Sequence, residues 1–420
     1  MREQYIIASG ELQDMPLVPD SVEARKAIMK HGATLDELME RYAEWEWDCL
    51  RMASEDSTEY AAFLNRISSS FLNEKKDQNS IYSPLSLYHA LAAIADLSES
   101  NTRQEVLSVL GAPDIDTVRK AINAQYRANL VHCGMEGRPA AMLWFDETVK
   151  LDQQKIQEIA NTIHVGTSQG CMTDPDYQSA ISSWLSEVSD VTVPLGNVIK
   201  IDKDTRLLLF STMSFHDKWE REFDPKKTKI QKFHAPDGAV DAMFMQKSEW
   251  EYVCCEASYT AVPISFNGGA SLWFILPKEG MSPEDILNEE FFTSFLSGER
   301  SKEHRDVHMK IPKFDLSMDM EMVETFKTMG LREVFSDFSQ MPYTTIDGNS
   351  IKIDKVKHSA KIKIDEEGCE ATAYTVMRGI AAGGFPEKPS RMDFILDRPF
   401  LFVLMGQGKL PLFVGTVYRP

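Results

Sequence analysis

At 420 residues, with 43% hydrophobic and 26% charged side chains, the chain has a globular composition and enough length for one large unit or two smaller ones. Its 45 basic and 64 acidic residues leave a net charge of −19, which argues against nucleic acid or an anionic membrane as partner, because phosphate would be repelled. The longest apolar runs, Leu272–Pro277 and Phe400–Met405, are strand-length and too short to cross a bilayer as helices.

Residues 1–57 read as an N-terminal helical extension packed on a main unit of residues 58–420, with helices over Ser21–Lys30 and Leu35–Met52 carrying Trp45, Trp47 and Leu50. The opening MREQYIIASGELQDMP lacks the apolar centre of a signal peptide. The expectation is an extracellular protein whose leader has been removed, with a cytoplasmic protein as the alternative. Cys49, Cys133, Cys171, Cys254, Cys255 and Cys369 are few and irregularly spaced, so free thiols are expected.

Helices dominate the next stretch: Tyr60–Asn73, Leu85–Ala95, Thr102–Leu110, Thr117–Leu130, Gln153–Ile163 and Ala180–Val188, with one buried strand at Pro139–Phe145. Ser83 and Pro84 supply a cap and a first-turn proline for the second of these, and Gly111 stops the third. Strands follow at Arg206–Phe215, Val240–Gln246, Tyr252–Ala257, Ala261–Phe266, Ala270–Pro277 and Val307–Leu316. After a helix at Glu321–Met329 come Ile351–Asp365, Met392–Leu396, Phe400–Met405 and Leu412–Val417. Segregated helices and long strands predict a single α+β unit with large mixed sheets.

The segment Lys361–Gly384, KIKIDEEGCEATAYTVMRGIAAGG, begins as a strand and then runs into small, uncharged residues. With a period of two, Cys369, Ala371, Ala373 and Thr375 share one face, and Glu370, Thr372, Tyr374 and Val376 the other. A connection written so that it can also be a central strand predicts two structures for one sequence.

Several runs resemble the serpins. Phe394–Leu404, FILDRPFLFVL, is similar to the family signature, and Pro411–Pro420, PLFVGTVYRP, to its closing strand. Asn79–Ser86 resembles the start of the family's buried central helix; Leu209–Trp219 and Phe223–Thr228 resemble a central strand and the turn after it. Glu366–Thr375 resembles the hinge of the family's exposed reactive loop, here expected over about residues 366–392. The resemblance implies three sheets, about eight to nine helices and no cofactor. It also implies a monomeric suicide-substrate inhibitor whose partner is a serine protease, elastase-like or subtilisin-like, held covalently while the cut loop enters the central sheet. A non-inhibitory carrier or chaperone is the alternative.

The hinge would comprise Glu366, Glu367, Gly368, Cys369, Glu370, Ala371, Thr372, Ala373, Tyr374 and Thr375. Ser83, Ser86, Ser211, Trp219, Lys313 and His358 would act where the sheet opens, Lys313 as an ion partner of Glu366. Cys369 stands where the family usually has Thr or Ser, and Ser211 and Asp217 where it has Asn and Gly. Family spacing from Gly368 puts the scissile bond at Ala382–Gly383, a small residue suited to an elastase-like pocket; Ala381, Arg378 and Arg391 are the alternatives.

Four other patterns are weak. Gly166-Thr-Ser-Gln-Gly170 fits G-x-S-x-G, which needs a strand–turn–helix, and no helix is expected to open after it. His304 and His308 have helical metal-ligand spacing but sit where a loop becomes a strand, and Cys254-Cys255 reads as buried strand. Arg119, Lys120 and Arg127 are too few basic residues for a polyanion site.

Overall fold

The computed structural model describes residues 3–9, 16–17, 21–31, 34–55, 58–130, 139–189, 201, 203–213, 215–288, 290–297, 302–369 and 390–420. Among these it holds ten α-helices and three β-sheets, the mixed α+β architecture expected. The helices beyond eight are Val22–His31 and Leu35–Glu55, ahead of the main unit.

The organising element is helix Pro84–Leu97. Its sequence, PLSLYHALAAIADL, is apolar on nearly every face, and every residue in it is buried. The Ser83 side chain accepts from the Ser86 amide, and Pro84 occupies the first turn, where a missing N–H costs nothing. An eight-stranded sheet lies against it, in contact through Pro139–Asp146 and Leu207–Met213. The order is Ile6–Ala8, Gly166–Gly170, Pro139–Asp146, Leu207–Met213, Lys355–Ile364, Gly368–Cys369 and Asp217–Lys218, with Phe314–Glu321 also paired to Lys355–Ile364. Alternate residues of that strand, Val356, His358, Ala360, Ile362 and Ile364, are buried, as a period of two requires.

A nine-stranded sheet runs from Arg391–Ile395 through Lys302–Pro312, Gly238–Cys255, Tyr259–Ser265, Ser271–Pro277, Phe400–Met405 and Pro411–Val417 to Ser80–Tyr82, with Lys229–Ala235 beside Gly238–Cys255. Gly238–Cys255 is one strand, not the expected two, because residues 244–254 pair without a break with Lys302–Pro312. Conversely, the expected strand Val307–Leu316 divides at Lys313, where the chain leaves one sheet for the other. A third sheet joins Asn349–Ser350, Thr344–Ile346 and Lys150–Leu151.

The N-terminal segment is not wholly helical. Ile6–Ala8 forms an edge strand on Gly166–Gly170. Leu35–Glu55 packs on helix Ile115–Leu130, with Ala53 set against Ala124 and Ala128. Cys49, Cys171, Cys254, Cys255 and Cys369 are free thiols.

Candidate functional site

Leu207–Met213 and Lys355–Ile364 lie side by side in parallel, six residue pairs long, from Lys355 opposite Leu208 to Ala360 opposite Met213. Parallel ladders are slightly weaker per residue than antiparallel ones. One antiparallel strand slipped between the two would replace one parallel ladder with two antiparallel ones.

Beneath this seam sits a buried polar network. The Ser83 amide donates to Nε2 of His358 at 2.9 Å. That leaves Nδ1 as the protonated nitrogen, 3.2 Å from the Ser211 carbonyl oxygen and 3.3 Å from its hydroxyl. The Ser86 hydroxyl meets that of Ser211 and lies 3.0 Å from the Thr212 carbonyl. His358 thus ties the central helix to both strands of the ladder. Burial lowers its pKa to about 3, with the bond to the Ser211 carbonyl acting weakly in the other direction. Ser211, where the family pattern has Asn, keeps the network closed through its hydroxyl.

Above the seam the chain reverses at residues 365–367. Trp219 stacks on Phe266 with centroids 4.3 Å apart and donates its indole N–H to the Asp365 carbonyl at 2.9 Å. The Trp219 and Phe223 amides bond to the carbonyls of Glu367 and Glu366. Trp219, expected at the opening, therefore holds the hinge turn above it. Lys313 Nζ lies 2.6 Å from Oε2 of Glu366, and the Thr228 hydroxyl donates to Oε1 at 2.8 Å. Burial works against the Glu366 charge, yet these hydrogen bonds outweigh it and hold the carboxyl below its ordinary pKa. Lys313 is more than a third exposed, so the pair is worth at most about 1 kcal/mol.

After this turn Gly368–Cys369 enters the sheet, antiparallel to both neighbours: Cys369 opposes Ile364 on one side and Asp217 on the other, and Gly368 opposes Lys218. A Cβ on Gly368 would overlap the Asp217 carbonyl oxygen and stand 2.8 Å from the Lys218 Cα, so only glycine fits. Cys369 is buried, its thiol 3.4 Å from the Phe215 carbonyl. Asp217 earns its place here: its carboxylate accepts from the Gly268 amide at 2.7 Å and from its neighbour Lys218 at 2.8 Å. Asp217→Gly, which restores the family residue, is expected to strand the Gly268 amide and cost about 1–3 kcal/mol, read as a lower urea midpoint.

The two edges of this short strand share one phase. Extending its register along Lys355–Ile364 sets Ala371 opposite Ile362, Ala373 opposite Ala360 and Thr375 opposite His358. Extending it along the other side sets Ala373 beside Met213 and Thr375 beside Ser211. Ala360 with Met213, and His358 with Ser211, are the pairs that now face each other across the parallel ladder. A strand continuing from Cys369 would therefore enter the seam in phase, with its thin face toward the central helix.

Ser83, Ser86, Ser211 and His358 are gathered at the seam, and Trp219, Lys313, Glu366, Glu367, Gly368 and Cys369 at the hinge. Glu370 to Thr375, Arg378, Ala381, Ala382 and Gly383 lie outside the described residues. Arg391 begins strand Arg391–Ile395, opposite Asp306, so the connection between sheets ends by Ser390 and not at 392. Thr228, Phe223 and Asp365 join the site through contacts that no local pattern announces.

The weak patterns resolve as structure. The expected helix Ala180–Val188 starts earlier, at Pro175, so a helix does open soon after Gly166–Gly170. Ser168 is nevertheless buried in mid-strand, its hydroxyl donating to the Tyr5 carbonyl at 2.9 Å, which excludes a nucleophile elbow. His304 and His308 both lie within strand Lys302–Pro312, and no His, Cys, Asp or Glu group among the described residues is arranged to hold a metal.

The fold is thus two large sheets around a buried central helix, with Gly368–Cys369 paired between Lys355–Ile364 and Asp217–Lys218. A family model described as serpin (serine protease inhibitor) matches residues 58–420, and the chain belongs to that family. Serpin-ZX of Hordeum vulgare is 27% identical over 404 residues, 88% of this chain and 98% of that one. Putative serpin-Z6A of Oryza sativa subsp. japonica is 30% identical over 376 residues, 81% of this chain and 94% of that one. Two solved structures share the fold: Arabidopsis AtSerpin1 in its native stressed conformation, at TM-score 0.74 and 22% identity over 88% of this chain and 98% of that one. The other is thyroxine-binding globulin with thyroxine, at TM-score 0.75 and 21% identity over 87% of this chain and 99% of that one. Serpins as a family are inhibitors that form complexes with serine proteases; in general they are not enzymes.

Proposed function

We propose that this serpin is an inhibitory suicide substrate, directed at elastase-like or subtilisin-like serine proteases, with Ala382–Gly383 as the bond attacked. The observation that carries this reading is the phase of Gly368–Cys369, which enters the seam antiparallel to both neighbours. The protease serine would attack the Ala382 carbonyl and become acylated by it, breaking the Ala382–Gly383 bond and releasing the amine of Gly383. The freed hinge would then run down the seam. Cys369 to Ala382 extends roughly 46 Å at about 3.3 Å per residue. Carried that far, an acyl-enzyme is strained at a catalytic site where a shift of about 1 Å already costs roughly a hundredfold. Ala381 shifts the bond by one residue, and Arg378 would invite a trypsin-like enzyme. Arg391 is set in a strand and is the poorest bait of the four.

The test is incubation with pancreatic elastase, subtilisin and trypsin, followed by a denaturing gel and mass spectrometry of the released C-terminal peptide. A covalent complex and a peptide beginning at Gly383 are expected. Cleavage with no complex and no gain in heat stability would instead assign the chain to the non-inhibitory carriers.

A further inference from the structure

Residues 3–9 precede the serpin match, yet they join elements that must move when the seam opens. Ile6 pairs with Ser168 and Ala8 with Thr167, covering an edge of the eight-stranded sheet that would otherwise be open. Tyr5 stands edge-on to Tyr177 of helix Pro175–Ser189, with centroids 5.0 Å apart, and its carbonyl accepts from Ser168. Gln157, on a neighbouring helix, donates to the Ser9 carbonyl at 3.4 Å.

Helix Pro175–Ser189 packs against both Leu207–Met213 and Lys355–Ile364, so it lies across the seam. Inserting a strand beneath it adds about 4.8 Å between those two strands. The helix must then loosen its hold on at least one of them. What holds it is a small apolar cluster separate from the main core, including Trp144, Tyr177, Trp184, Leu208 and Phe210, and Tyr5 packs on the margin of that cluster. A single segment is therefore stapled to the sheet edge by its backbone and to the overlying helix by an aromatic ring.

We propose that residues 3–9 are a strap that holds helix Pro175–Ser189 down on the sheet and slows insertion of the uncut loop. The strap rests on the loop-insertion reading given above, and its action is kinetic. Opening with the strap in place breaks the Tyr5–Tyr177 contact or the Ile6–Ser168 pairing; opening without it breaks neither.

The experiment compares the wild type, Tyr5→Ala and a chain lacking residues 1–9. Cutting the wild-type loop with subtilisin should first raise its unfolding temperature; without that rise, insertion and strap fall together. With the rise secured, the uncut proteins are incubated a few degrees below the wild-type midpoint. Conversion to a form that survives urea is then followed with time. Both variants are expected to convert about threefold faster or more, because they lose contacts broken in the transition state. A synthetic peptide of residues 1–9 should slow the truncated chain again. Wild-type rates in both variants, with insertion intact, would overturn the strap alone. Should either variant fail to fold, hydrogen exchange on the wild type decides. Residues 5–8 and the helix must open as one unit, and free exchange of the segment over a protected helix would overturn the proposal.

Discussion

Ala373→Arg is expected to abolish the covalent complex while leaving the loop as readily cut as before. The register carried down from Cys369 sets residue 373 between Ala360 and Met213, both fully buried over the central helix. A guanidinium there would find neither water nor an acidic partner. Breaking the balance of a buried charge in this way costs about 3–5 kcal/mol. At about 1.4 kcal/mol per tenfold in rate, insertion slows by roughly a hundredfold or more. Deacylation is untouched, so the acyl-enzyme is hydrolysed before it can be moved. Under the proposed function, titration of elastase should show the variant consumed as a substrate many times over and the wild type consumed near one to one. Thr372→Gln is the matched control. Residue 372 falls opposite Lys361 on the other face of the strand, where the surface is only half-buried, and inhibition should survive. An undiminished complex in Ala373→Arg would mean that the loop does not follow this register.

Much of this was written locally. Ser83-Pro84 before an apolar run marks the buried helix, and the alternation of Ile362 and Ile364 with Lys361 and Lys363 marks the strand Lys355–Ile364. What local pattern could not show is that Gly368–Cys369 pairs in the sheet. Gly368 is accepted into the sheet by Asp217 and Lys218, about 150 residues earlier in the chain, and that choice is steric and tertiary. Asp217 read only as a departure from family; its reason is the Gly268 amide, reached across a turn in another part of the fold. Gly166–Gly170, GTSQG, carries no apolar alternation to mark it as a strand. It is a strand because Pro139–Asp146 and Ile6–Ala8 flank it on both sides. The helix after it starts five residues before the expected Ala180, at Pro175, with the Asp174 carboxylate ahead of it accepting from the Asp176 amide. Strand boundaries at Lys313 and within Gly238–Cys255 depend on which sheet a residue joins, and periodicity alone does not say.

Acidification should weaken the seam through His358. Its neutral ring accepts the Ser83 amide proton on Nε2, so a second proton there would set two donors face to face in a buried site. The folded pKa is lowered to about 3, against about 6.5 in the unfolded chain, so the unfolded state binds the extra proton first. Stability from this group is fully present above about pH 6.5 and is lost as pH falls from there toward 3. At pH 5 the loss is about 2 kcal/mol, since the unfolded chain is by then some 1.5 pH units below its own pKa. His89, buried with its Nε2 against the Ile163 carbonyl and its pKa lowered to about 4, adds a similar loss away from the seam. His358→Gln separates the two: it removes the titrating group and leaves His89 and every carboxylate as they were. The variant should start less stable at pH 7, because the Ser83 and Ser211 bonds are imperfectly replaced. It should then lose about 2 kcal/mol less than wild type on going to pH 5, measured as the shift in urea midpoint. Equal pH dependence in the two proteins would show that His358 does not set the pH response of the seam. Because a strand continued from Cys369 in the same register would carry Thr375 between His358 and Ser211, the same protonation is expected to speed insertion of the loop in the wild type, and to do so less in His358→Gln.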